Sequence, residues 1–275
     1  MSLLEVKDLH ITFNSSGRKT EAVKGISFSI EDGDSVAIVG ESGSGKTVTA
    51  MSFTNLLPPD PICEIKGKVV YDGKNILEIN NRELRKIRGR EIAYIFQEAS
   101  VSLNPVFTIG SQIAEAIKLH FPESENVQEM VIESLREVGI SNPELRCKSY
   151  PYELSGGMQQ RAMIAMALSC KPKLLIADEP TTALDVSVQK QIIDLLKDVR
   201  SKHNTGLVLI THNFGIISEL CKKVIVMFRG KIVEEGNVAD VLYNPQHPYT
   251  KALIACIPRL GKKNEKLQSI DYSKL

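Results

Sequence analysis

Apolar and polar residues alternate from Leu3 to Phe13, the period of a strand buried on one face, and Ser15-Ser-Gly17 then breaks the run. The chain is therefore expected to open on a hairpin-like element. Ser35–Val39 is a short apolar run entering a glycine-rich turn, and a helical stretch follows until Pro58-Pro-Asp-Pro61 stops it. Further strands are predicted at Lys68–Tyr71, Ile92–Phe96, Leu174–Ala177, Leu207–Ile210 and Val224–Met227. Several are apolar on both faces, as in a sheet covered on both sides by helices. Between Gln97 and Lys171 the strand signal fades, and Val127, Met130, Val131, Leu135 and Val138 fall on one helical stripe. The pattern predicts an α/β core with a helical insertion. From Asn237 onward it predicts a short helix, a turn around Pro245 and Pro248, an amphipathic segment and a polar, mobile tail, Gly261 to Leu275.

Composition narrows the classes. The 275 residues, 43% hydrophobic and 24% charged, are enough to bury a full core. With 34 basic against 33 acidic side chains, the net charge of +1 lacks the strong basic field of a general nucleic-acid binder. Cys63, Cys147, Cys170, Cys221 and Cys256 are odd in number and scattered, which fits reduced thiols in cytosol better than a disulfide framework. Met1 to His10 carries Glu5 and Asp8 and shows no basic start followed by an apolar block, so no secretory signal is expected. The charge-free run Ala162–Cys170 is nine residues, about half of the roughly 20 that cross a bilayer. No membrane span is expected.

Two segments carry phosphate chemistry. Gly40-Glu-Ser42-Gly43-Ser44-Gly45-Lys46-Thr47 fits G-x-x-x-x-G-K-[ST], in which glycines let consecutive N–H groups curl around a polyphosphate. Lys46 would reach the β- and γ-phosphates, and the Thr47 hydroxyl would ligate magnesium. Leu174-Leu-Ile-Ala-Asp178-Glu179 is a buried strand ending in two carboxylates, which alone could cap the helix beginning near Asp185. With a phosphate loop upstream, Asp178 as metal-side ligand and Glu179 as general base is the better reading.

Leu154-Ser155-Gly156-Gly157-Met158-Gln159-Gln160-Arg161 decides among phosphate-loop families. Ser-Gly-Gly at a helix start is either a plain cap or a second anion-binding nest. Together with the cradle and Asp178, it resembles the ATP-binding cassette family, whose signature reads Leu-Ser-Gly-Gly-Gln or a close variant. The resemblance covers almost the whole chain. It implies a phosphate-loop α/β core with an N-terminal antiparallel β subdomain, residues 1–97 and 172–240. It further implies a helical subdomain carrying the signature, 98–171, and a short C-terminal extension, 241–275. It places Phe13 against adenine, with a core phenylalanine as the alternative. Gln97 resembles the glutamine that senses the γ-phosphate and magnesium and touches a membrane subunit. Ala183-Leu184-Asp185 resembles the loop that crosses the dimer seam, and His212 the switch histidine at the γ-phosphate. In such a family the nest of one subunit, here Ser155, Gly156, Gly157 and Asp185, closes over the cradle of another. ATP and magnesium are the implied cofactors, and a second cassette, identical or paralogous, is the implied partner.

Gln97-Glu-Ala-Ser-Val-Ser-Leu103-Asn104-Pro105-Val-Phe-Thr-Ile-Gly110 and Asn244-Pro-Gln-His247-Pro248-Tyr249-Thr250-Lys-Ala-Leu253-Ile-Ala-Cys-Ile-Pro258 resemble segments of peptide and nickel importer ATPases. That implies two permease subunits, an extracytoplasmic binding protein acting indirectly, and a peripheral place on the cytoplasmic side of the membrane. Glu98-Ala99 stands where Asp-Pro is usual, and Asn213 where Asp follows the switch histidine. Only Cys256 lies beyond Cys221, so no iron–sulfur cluster is expected, and nickel or metal-chelate import stays open beside di- and oligopeptide import. His247 reads as structural. A DNA-maintenance ATPase is the distant alternative, but Lys46 and Ser155 lie too close for its long insertion. The basic run Arg82, Arg85, Lys86, Arg88 and Arg90, interrupted by Glu83, reads as a solvated helix face, so no nucleic-acid partner is expected.

Overall fold

The alternating opening run forms β1 (Ser2–Ser15), which pairs antiparallel with β2 (Arg18–Glu31) as the expected hairpin. The structure, a computed structural model, describes residues 2–15, 17–182 and 184–256. Leu4, Val6, Leu9 and Ile11 of β1 all point into the core, although Val6 and Leu9 are of opposite parity. A bulge resolves the conflict: the register shifts between Val6 and Leu9, and Asp8 takes φ 45°. Next come β3 (Ser35–Val39), buried throughout, α1 (Lys46–Ser52), β4 (Cys63–Tyr71) and the short β5 (Lys74–Asn75). The antiparallel sheet runs β2-β1-β4-β5.

Then follow α2 (Asn81–Ile87), β6 (Ile92–Ile95), α3 (Ala99–Ser102), α4 (Ile109–His120), α5 (Val127–Glu137) and α6 (Pro143–Arg146). A single 3-10 turn, Pro151–Glu153, leads to α7 (Gly156–Leu168), β7 (Leu174–Asp178), α8 (Val186–His203) and β8 (Gly206–Ile210). The predicted stripe of α5 is real: Val127, Val131, Leu135 and Val138 are buried and Met130 is half-buried. The apolar run from Ala162 is most of α7, whose Ala162, Met163, Ile164, Ala165 and Leu168 are all buried, so it is a core helix. Among the described residues no helix is long and apolar enough to cross a membrane. On α2, Leu84 and Ile87 face inward while Arg82, Arg85 and Lys86 are exposed, so the expected solvated face holds for these three; Arg88 and Arg90 of the same basic run fall beyond the helix, Arg88 half-buried and Arg90 over the Phe121 ring.

The described residues end with α9 (Phe214–Leu220), β9 (Lys223–Phe228), β10 (Lys231–Asn237), α10 (Val238–Tyr243) and α11 (Pro248–Ala255). Contacts divide it into two units, Met1–Glu78 with Leu209–Leu275, and Ile79–Val208. The first holds the antiparallel sheet and the ribbon β10-β9-β3, in which β3 runs parallel to β9 from Val36↔Lys223 to Val39↔Val226. The second holds α2 to α8 and the parallel pair β6 and β7. The division falls within β8. This grouping follows contact, whereas the expected one followed element type, and the expected helical stretch 98–171 lies wholly inside the second unit. Cys63, Cys147, Cys170 and Cys221 are buried free thiols and Cys256 is half-buried. The tail from Gly261 onward, and Pro258, lie outside the described residues.

Candidate functional site

In the first unit, β3 delivers the chain to the glycine loop. Gly40 takes φ 149°, and a Cβ there would lie 2.2 Å from the Met227 carbonyl oxygen of β9. Gly45 takes φ 103°, and its Cβ would lie 2.7 Å from the Ala22 carbonyl oxygen. Both positions exclude any side chain, by backbone conformation and by space. Lys46 opens α1, is 7% exposed, and donates from Nζ to the carbonyls of Gly40 at 2.9 Å and Glu41 at 2.8 Å. Ser44 Oγ is buried with no hydrogen-bond partner in the described chain. A buried ammonium folded over its own loop beside an unsatisfied hydroxyl is a donor set suited to an anion with several oxygens. Ser42, Gly43 and Thr47 are exposed at the mouth of the loop. Phe13 is half-buried on β1, opposite Thr20 and Cys63, and so is not a fully buried core side chain. His212 is exposed just after β8, where Thr211 Oγ1 accepts from the Asn213 N–H at 3.0 Å and the Asn213 side chain caps α9.

In the second unit, β7 ends in Asp178, 5% exposed, whose Oδ2 accepts from the Tyr94 hydroxyl at 2.8 Å. Burial, then the Asp178 charge and its hydrogen bond, push the Tyr94 phenol well above its usual range, so Tyr94 remains a donor. Glu179 follows with φ 45°, a left-handed conformation that costs a non-glycine residue roughly 1 kcal/mol or more. Its Oε2 accepts from Thr182 Oγ1 at 2.8 Å, which fixes where the carboxylate points. Asp185 caps α8, accepting from the Val188 N–H at 2.9 Å. The Ser187 hydroxyl, foremost, and that N–H hold its carboxyl below the usual range. Ser155 caps α7, accepting from the Met158 N–H, and Gln159 Nε2 ties the turn down by donating to the carbonyls of Pro151 at 2.8 Å and Leu154 at 3.2 Å. A Cβ on Gly157 would lie 2.8 Å from Val188 Cγ1, so the start of α7 is packed directly on the start of α8. Ser155-Gly-Gly157 and Leu184–Val188 thus form one local assembly; Ala183 lies outside the described residues. Gln97 is exposed two residues beyond the end of β6.

Residues 23–182 match the family model described as ABC transporter, and residues 233–274 match the one described as oligopeptide/dipeptide transporter, C-terminal region. The chain belongs to the ABC transporter family. It is similar to the oligopeptide transport ATP-binding protein OppD of Bacillus subtilis, 45% identical over 264 residues that cover 96% of this chain and 74% of that protein. It is also similar to the dipeptide transport ATP-binding protein DppD of Escherichia coli, 44% identical over 271 residues, 98% of this chain and 83% of that one. Among solved structures it resembles the ATP-binding cassette MJ0796, a dimer in a post-hydrolysis state bound to ADP and Pi. The TM-score is 0.76 at 26% identity, over 86% of this chain and 98% of that one.

Within this ABC cassette, two side chains that sequence reasoning did not single out touch the candidate site. Tyr94 lies on β6, and only strand pairing reveals that it reaches Asp178 on β7. Tyr249 is 0% exposed, and its hydroxyl accepts the Glu41 N–H of the cradle at 3.0 Å. Within the segment that resembles importer ATPases it is thus the tyrosine, not the neighbouring histidine, that reaches the cradle. His247 is indeed structural: its Nδ1 accepts from the Tyr249 N–H at 3.1 Å and caps α11. Among the described residues no group of three or more His, Cys, Asp or Glu could hold a metal ion by protein ligands alone.

Proposed function

We propose that this chain is the ATP-hydrolysing subunit of an importer of di- or oligopeptides. The observation that carries the peptide branch is the match of residues 233–274 to the oligopeptide/dipeptide transporter C-terminal region. The names of OppD and DppD support it. In this reading the loop Gly40–Thr47 holds the nucleotide, Lys46 binds the β- and γ-phosphates, and Phe13 stacks on adenine. Thr47, Gln97 and Asp178 are the residues for magnesium, in part through water. Magnesium, when bound, neutralises negative charge on the transferred phosphoryl oxygens. Glu179 accepts the proton of the attacking water, and His212 holds the γ-phosphate geometry. Ser155, Gly156, Gly157 and Asp185 serve a partner cassette's nucleotide, so hydrolysis needs two cassettes, identical or paralogous. Two permease subunits would carry the pair on the cytoplasmic face of the membrane, with an extracytoplasmic binding protein delivering solute. The chain uses no iron–sulfur cluster and no nucleic acid.

The test is uptake of a labelled dipeptide and of nickel in cells carrying either the wild-type chain or Glu179→Gln. Loss of peptide uptake with nickel uptake intact is expected. The reverse pattern would transfer the assignment to a metal importer.

A further inference from the structure

The peptide bond between Gly40 and Glu41 is held at both ends. Its carbonyl accepts from Lys46 Nζ at 2.9 Å, and its N–H donates to the Tyr249 hydroxyl at 3.0 Å. Tyr249 is itself fixed on three sides. Its ring stacks on Phe228 with centroids 4.2 Å apart, it is fully buried, and its own N–H is bound by His247 Nδ1. The segment before α11 is tied to β10 by Glu234, whose two carboxylate oxygens accept the N–H groups of Gln246 at 2.7 Å and His247 at 3.0 Å. A continuous chain of contacts therefore leads from β10 through the C-terminal segment to the ammonium group of the cradle.

We propose that Tyr249 is a positioning residue for Lys46, acting through the Gly40–Glu41 peptide, and that the C-terminal segment thereby sets the affinity of the cradle for ATP. The physical reason is peptide geometry. The amide is planar, so fixing its N–H direction fixes the carbonyl that Lys46 uses as its anchor. Hydrogen bonds at the two ends of one amide also polarise each other, so losing one weakens the other. Tyrosine suits the task because its hydroxyl accepts a hydrogen bond while its ring stays packed on Phe228. Phenylalanine keeps the packing and cannot accept. The inference rests on the nucleotide-binding reading of the cradle and adds to it a residue 208 positions away in sequence.

The experiment is equilibrium titration of the full chain with ATP and magnesium, comparing wild type, Tyr249→Phe, Lys46→Ala and the double variant. Tyr249→Phe should weaken ATP binding about 3- to 10-fold, the scale of one net hydrogen bond. In the Lys46→Ala background the same change should do almost nothing, because the side chain it orients is gone. Glu234→Gln, made outside the cradle, should weaken ATP binding in the wild-type background and add nothing to Tyr249→Phe. It also serves if Tyr249→Phe proves unstable. Equal loss with and without Lys46 would show a merely structural role and overturn the inference, as would unchanged affinity in Tyr249→Phe. A wild-type chain that fails to bind ATP would overturn the nucleotide reading, and this inference with it.

Discussion

Tyr94 on β6 donates its hydroxyl to Asp178 Oδ2 on the neighbouring strand β7, at 2.8 Å, and Asp178 is 5% exposed. A buried carboxylate at a strand tip needs donors to remain ionised and oriented, and this phenol supplies one. Tyr94→Phe should raise the magnesium concentration giving half-maximal ATPase activity by roughly 10-fold or more, the usual cost of losing a partner behind a metal-side group. It should also lower stability by about 1–3 kcal/mol through the lost hydrogen bond to a charged group, a fall in melting temperature of a few degrees. Unchanged magnesium dependence would separate Tyr94 from the metal chemistry.

The tension at Glu179 yields a second expectation. Its φ of 45° strains the backbone, while its Oε2 contact with Thr182 Oγ1 returns part of that cost. Glu179→Gln should leave folding and ATP binding intact and slow hydrolysis by about 10²- to 10⁴-fold, as expected for a lost general base. Glu179→Gly removes the strain and the contact together, two effects of about 1 kcal/mol each and of opposite sign. Its melting temperature should therefore lie close to that of the wild type while activity is lost. A large fall in melting temperature would mean that the strained conformation is not a cost carried for function.

Much of this was legible because the chemistry is local. The cradle Gly40–Thr47 is contiguous, and its glycines announce the backbone conformations found at Gly40 and Gly45. The runs at Ser35–Val39, Leu174–Asp178 and Gly206–Ile210 are buried along their whole length, so their apolar signal is uninterrupted. β10 was not legible, because Lys231-Ile-Val-Glu-Glu-Gly-Asn237 is half-exposed and mixes charge with glycine. Nor were Tyr94 and Tyr249 as site residues. Their partners stand 84 and 208 positions away, and periodicity reports which face a side chain takes but not what it meets there.

The signature turn gives a purely steric prediction. A Cβ on Gly157 would lie 2.8 Å from Val188 Cγ1, and valine, branched at Cβ, cannot rotate the methyl aside without losing its preferred rotamer. Gly157→Ala should destabilise the chain by about 1–3 kcal/mol, in the range for overpacking. Adding Val188→Ala should recover most of that loss, because it removes the clashing methyl. Thermal melts of the two single variants and the double variant give the comparison. Additive losses would show that α7 and α8 do not approach as closely as 2.8 Å implies.

Acid should release the C-terminal segment through Glu234. Burial alone would raise its pKa, but hydrogen bonds to the charged form, among them the N–H groups of Gln246 and His247, outweigh it and hold the carboxyl below the usual 4.5. The folded pKa lies under the unfolded one, so the carboxylate contributes stability at and above the ordinary glutamate range and loses it as pH falls through the folded value. Other carboxylates titrate in the same window, so the informative quantity is the difference between wild type and Glu234→Gln. That difference should be largest near neutrality, shrink below about pH 4.5, and vanish in stronger acid, as read from melting temperature. Proteolysis between Asn244 and Cys256 should follow the same course in the wild type and be independent of pH across that window in Glu234→Gln. A constant gap between the two proteins down to the lowest pH would show that the ionised carboxylate is not what ties this segment to β10.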